Sequence, residues 1–172
     1  MEIRTIAPFL DYFGKIRART MRLVACIPPE KLELHTAEGK FTAGDLARHI
    51  AATERYVFAE AVAGGRNRYA GCGRELADGH DRVVAFMQRM HQESMKIFST
   101  LSDEDLQKKC TSGDGTPITT WKWLRSMVEH EIHHRGELYA LLGTMGVTVP
   151  PLYGVTSEQL KEIAAGTVKN GV

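Results

Sequence analysis

The stretch TWKWLRSMVEHEIHHRGELYALLGTM, residues 120–145, decides the fold. An α-helix turns about 100° per residue. With Trp123 as origin, Met127, His130, His134, Leu138, Leu141 and Met145 then fall within roughly 60° of one line. This periodicity predicts a helix from about Thr120 to Met145, closed by Gly146, with His130 and His134 at the centre of its buried stripe. The two imidazoles are one turn apart on one face, a separation that lets both converge on a metal ion. His133 lies about 80° off the line and reads as a flanking residue.

Three further helical patterns precede this one. The first runs from about Thr5 to Ile27 on Ile6, Phe9, Leu10, Phe13, Ile16, Thr20, Leu23 and Val24, and stops at Pro28-Pro29. Gly39-Lys40-Phe41 leads into a second, opened near Ala43 by a capping box of Thr42 and Asp45 and ended by Gly64-Gly65. Its apolar line is Leu46, Ile50, Thr53 and Val57, with His49 at the edge and Asp45 as an alternative occupant of that edge. The third runs from about Glu75 to Leu101 through Val83, Met87, Met90, Met95 and Phe98. Single helical turns are expected at Pro29–Leu34 and Ser102–Leu106, and a last short helix at Ser157–Leu160 before a frayed Gly171-Val172 end. Residues 111–117 read as a loop, and no stretch carries a convincing strand pattern. The expected fold is all-α, a four-helix bundle with short extra helical turns in its connections and at its C-terminus, forming one domain over residues 1–172.

Composition narrows the function. A hydrophobic share of 43%, a charged share of 25% and a net charge of +1 describe an ordinary soluble globular chain with no electrostatic footprint for nucleic acid or an anionic membrane. Residues 1–13 mix Glu2, Arg4 and Asp11 into their apolar positions, unlike a signal peptide, and no stretch has the length of a membrane span. Three cysteines, Cys26, Cys72 and Cys110, lack CxxC spacing and argue against a disulfide framework. The expectation is a cytoplasmic protein.

Spacing and orientation alone leave two readings of the histidines open. A single buried histidine is more often a core residue with a hydrogen-bond partner. Two at i, i+4 among Leu and Met would need two separate sets of partners, which makes a metal an equally good explanation. His35, His80 and His91 read as loop or helix-surface residues. The run His130-Glu131-Ile132-His133-His134 also matches HExxH, in which the glutamate is the general base of a metalloprotease. No strand pattern precedes it, and no obvious downstream ligand follows, Glu158 being the best and a weak candidate, so a peptidase is the minor reading.

The run His130-Glu-Ile-His-His134-Arg-Gly-Glu-Leu138, Leu141-Leu-Gly, the Pro150-Pro151 turn, and Asp45-Leu-Ala-Arg-His49-Ile with Glu54 resemble the DinB family of four-helix-bundle metalloenzymes. The resemblance implies a divalent metal held by His49, His130 and His134, and often a homodimer. It places Glu137 where many relatives carry Gln, open to an acid/base or supporting role. It also implies a transferase in which a low-molecular-weight thiol, activated on the metal, attacks a small electrophile. Zinc is the first expectation for the ion, with nickel or iron as alternatives. Three neutral imidazoles leave coordination positions open, as in catalytic sites. The alternatives are a metal-dependent hydrolase and a non-catalytic module that uses the Trp121, Trp123 and Tyr139 region for dimerisation or partner binding.

Overall fold

The computed structural model describes residues 2–36 and 40–167; the Gly39 lead-in and the Gly171-Val172 end lie outside them. Helix α1 spans Ile6–Val24. Helix α2 spans Ala43–Thr53, passes through a π-helical segment at Glu54–Ala59 and closes in a single turn, α3, at Glu60–Val62. Helix α4 spans His80–Phe98, α5 spans Thr120–Thr144 and a short α6 spans Ser157–Ala164. One-turn 3-10 helices stand at Pro29–Lys31 and Asp105–Gln107, inside the two connections expected to hold them. Among the described residues no helix is long and apolar enough to cross a membrane.

Local chemistry explains most boundaries. Thr42 and Asp45 form the reciprocal capping box that starts α2. A second box joins Thr156 to Gln159, so α6 is capped one residue earlier than Ser157. Helix α4 starts five residues after Glu75, because Gly79 has φ 89° and breaks the helical path there. Residues 111–117 are more than a loop: Lys109–Thr111 and Pro117–Thr119 pair antiparallel, with Cys110 opposite Ile118. Three-residue strands are too short to show alternation in a sequence.

Helices α1 and α2 each pack against both α4 and α5, so they occupy opposite corners of the bundle. The interior has two apolar cores. One gathers Leu23, Ile27, Ile50, Met87, Met90, Leu138 and Leu142; the other gathers Phe9, Phe13, Phe58, Phe98, Leu124 and Met127. Between them, in each of the four long helices, sit polar residues: Arg17 and Thr20 in α1, Glu54 where α2 becomes π-helical, His91 and Ser94 in α4, and Glu131 and Arg135 in α5. The Arg17 guanidinium pairs with both Glu54 and Glu131, the latter at 3.0 Å. Thr20 donates its hydroxyl proton to Glu131 Oε1 at 2.6 Å, and His91 Nδ1 lies 3.0 Å from Glu54 Oε1.

This layer corrects the expected stripe of α5. Its buried line is Leu124, Met127, Val128, Glu131, Arg135, Leu138 and Leu142, with His130 and His134 half-buried at its edge. The expected stripe left out Glu131, which is buried against Arg17 and Thr20, and Arg135, which donates to the Ile16 carbonyl and to Tyr153. In α2 the π-helical turn adds a residue to the period, so Phe58 is buried where Val57 was expected.

Burial would raise the Glu54 carboxyl, but Arg17 and His91 outweigh it and hold the group low. For Glu131, burial and the neighbouring Glu54 prevail over Arg17 and push the carboxyl up. Arg17→Met strands two buried carboxylates and is expected to cost about 3–5 kcal/mol by urea denaturation. Adding Glu54→Leu and Glu131→Leu to that variant is expected to recover most of the loss, since apolar replacement of a whole buried ion network is often neutral.

Candidate metal centre

His49 projects from the second turn of α2, and His130 and His134 project from the middle of α5 toward it. One ring nitrogen from each of the three lies within 4.8 Å of the other two. His49 Nε2 and His130 Nε2 are 3.1 Å apart. Two imidazole nitrogens on a tetrahedral zinc ion stand about 3.3 Å apart, so the pair needs almost no rearrangement to share an ion. The ring centroids are 5.0 Å apart for His49 and His130, 4.5 Å for His49 and His134, and 4.4 Å for His130 and His134.

The outward nitrogens have partners of their own. His49 Nδ1 lies 2.7 Å from Tyr69 Oη, and His134 Nδ1 lies 2.6 Å from Glu137 Oε2. Such bonds fix the ring plane and the tautomer, leaving Nε2 free to ligate. Tyr69 comes from the connection after α3, which is anchored where the Arg68 backbone N–H donates to the Tyr56 carbonyl. Nothing in the sequence marks Tyr69, because its partner is twenty residues away and it obeys no helical period. Phe41 stacks on the His49 ring at 5.6 Å and Phe58 lies 5.7 Å from His130, so the cluster is walled by aromatic rings. A cavity of about 350 Å³ adjoins it, bounded by Phe41, Leu46, Glu137 and Leu141. That volume suits a small molecule.

Burial, helped by His134, pushes the His49 imidazole down to about 4. Burial, with His134 and His49 adding, takes His130 down to about 3. Both rings are therefore neutral at pH 7, the form that binds metals. His133 is outside the cluster: its side chain is 67% exposed and its Nε2 stands 3.3 Å from Glu137 Oε1. Asp45 is occupied with the α2 cap and with Arg48, so it is not the occupant of this edge. Glu131, the HExxH glutamate, points into the polar layer at Arg17 and Thr20 and is not placed as a base beside the histidines. Glu158 belongs to α6 and is not in the cluster. Trp123 packs on Phe58 inside the bundle, Trp121 lies under Arg125, and Tyr139 is exposed.

The depressed histidines set a pH dependence for the metal-free protein. The unfolded chain takes up protons at His49 and His130 near pH 6.5, whereas the folded chain resists until about 4 and 3. Stability should therefore fall as pH drops from 6.5 toward 4, with a slope in urea titrations approaching about two protons. His130→Leu should flatten that slope by about one proton; an unchanged slope would contradict the placement of that ring.

The DinB family profile matches residues 3–166. The uncharacterized protein YjoA of Bacillus subtilis is 27% identical over 146 residues, which cover 84% of this chain and 93% of that protein. Two crystal structures share the fold. A DinB-like protein of Bacillus cereus has a TM-score of 0.74 at 21% identity, over 87% of this chain and 99% of that one. The YjoA structure has a TM-score of 0.70 at 23% identity, over 86% and 99%. Helix order, fold and a sequence match over nearly the whole length agree: this chain belongs to the DinB family.

Proposed function

We propose that the chain is a metal-dependent enzyme acting on a small molecule, with His49, His130 and His134 as the ligands of one divalent ion. The carrying observation is the convergence of three half-buried imidazoles from two helices, two of them held neutral and two backed by Tyr69 and Glu137. The donor set fits an ion that accepts nitrogen ligands, with zinc first and nickel or iron as alternatives. Three protein ligands leave a position for an exogenous group, unlike a closed structural site. Bound by these residues, the ion would supply Lewis acidity that lowers the pKa of a low-molecular-weight thiol, the nucleophile class that reacts with small electrophiles at neutral pH.

The chain's own residues then have defined tasks. Glu137 accepts the His134 Nδ1 proton and keeps that ring facing the centre. Tyr69 does the same for His49. Phe41 and Leu141 exclude water from one side of the adjoining cavity and receive the apolar part of a substrate. A hydrolytic reaction at the same centre would have to proceed without Glu131, whose carboxyl is committed to the polar layer.

Plasma mass spectrometry of untagged protein tests the ligand set. About one equivalent of metal per chain is expected, lost in His49→Ala, His130→Ala and His134→Ala and kept in His133→Ala. Glu137→Ala should weaken metal affinity about 10–100-fold, the usual cost of losing such a supporting bond. Metal absent from every sample after reloading with zinc and with nickel would overturn the proposal.

A further inference from the structure

On the side of α5 turned away from the histidines lies a second cavity, of about 570 Å³. Its walls include Ile132, Gly136 and Tyr139 of α5 and Leu152 and Tyr153 of the following segment. Ile132, Gly136 and Tyr139 share one helix face, roughly opposite that of His130 and His134. The volume and the apolar, partly aromatic lining are those of a small-molecule site.

Arg135 borders this cavity and is only 2% exposed. The other two fully buried arginines have acid partners: Arg17 has Glu54 and Glu131, and Arg48 has Glu33 and Asp45. Arg135 has none among the described residues. Its Nη1 donates to the Ile16 carbonyl at 3.2 Å and its Nη2 donates to Tyr153 Oη at 2.7 Å. Burying a guanidinium is costly unless an opposite charge is supplied. Two more guanidiniums gather here without an acid partner among the described residues. Arg19 lies 5.4 Å from the centre of the Tyr153 ring, and Arg22 donates to the Leu152 carbonyl at 3.2 Å. The acid in the cavity wall, Glu158, is engaged by the first turn of its own helix and by Thr156.

We propose that Arg135, with the apolar wall formed by Ile132, Tyr139 and Leu152, makes a binding site for a small organic carboxylate with an apolar or aromatic body. The carboxylate supplies the missing counter-charge to Arg135, and the planar guanidinium accommodates it through two parallel hydrogen bonds. The body of the ligand fills the cavity between Tyr139 and Tyr153. This site is separate from the histidine centre and does not depend on its chemistry.

Benzoate is the probe, followed by isothermal titration calorimetry, with benzamide as the uncharged analogue of the same shape. Benzoate is expected to saturate one site per chain, with benzamide at least about tenfold weaker, because charge-assisted bonds to an arginine are lost. Arg135→Gln should weaken benzoate by about the same factor. Gly136→Leu is the second variant. A Cβ at that position meets no neighbour within 4 Å, and the rest of a leucine side chain extends into the cavity that Gly136 lines. It should abolish binding even where Arg135→Gln fails to fold. Binding should survive His134→Ala, which separates this site from the metal centre. No saturable benzoate binding, equal binding of benzamide, or binding undiminished in Gly136→Leu would each overturn the proposal. Sedimentation velocity is the second readout: conversion of a dimer to a monomer by Gly136→Leu would mean that a second copy of the chain, not a carboxylate, covers this face, and would overturn the proposal.

Discussion

A single guanidinium, Arg17, shared by the carboxylates of Glu54 and Glu131, fixes how the helices of this bundle meet. Apolar side chains alone tolerate sliding and rotation of one helix against another, since many packings bury similar area. A buried ion pair does not tolerate it, because a slip of one turn leaves charges unpaired in a low-dielectric interior. Here the ions and their neighbours come from all four long helices, in a layer between two apolar cores. The layer thus works as a register mark.

The histidine centre follows from that register. Glu131 and Arg135 are one turn apart on α5 and both face the interior, the first toward Arg17 and the second toward Ile16 and Tyr153. Each immediately follows a candidate ligand, His130 and His134, which must then face about 100° away, toward α2. On α2, Glu54 is held by the same arginine, which sets the rotation of the helix that carries His49. The π-helical turn beginning at Glu54 lets that carboxylate reach Arg17 while Phe58 reaches His130 and Trp123. Charges buried at the waist thereby place the three imidazoles at its rim.

Much of this was legible in the sequence, for identifiable reasons. Helices with strong periodicity and clear stops, such as the run closed by Pro28-Pro29 and the one opened by Thr42 and Asp45, appear close to where they were expected. The i, i+4 pair on α5 is legible because helical geometry is local, whereas the choice of His49 over Asp45 as its companion rests on the resemblance to the DinB family. What escaped depends on contacts distant in sequence. Arg17, Glu54, Glu131 and Arg135 are charged and look like surface residues until their partners are known, so the stripe of α5 was centred on the wrong line. Tyr69 supports His49 from an irregular connection that carries no pattern. The small hairpin at residues 109–119 is shorter than any periodicity can reveal.

The central claim is that His49, His130 and His134 share one metal ion. X-ray absorption at the zinc edge on the zinc-loaded protein tests it most directly. The account predicts three imidazole nitrogens at about 2.0–2.1 Å with one further light-atom ligand, and one imidazole fewer in the zinc-loaded His49→Ala variant. A shell without imidazole scattering, or a spectrum identical in wild type and His49→Ala, would contradict it.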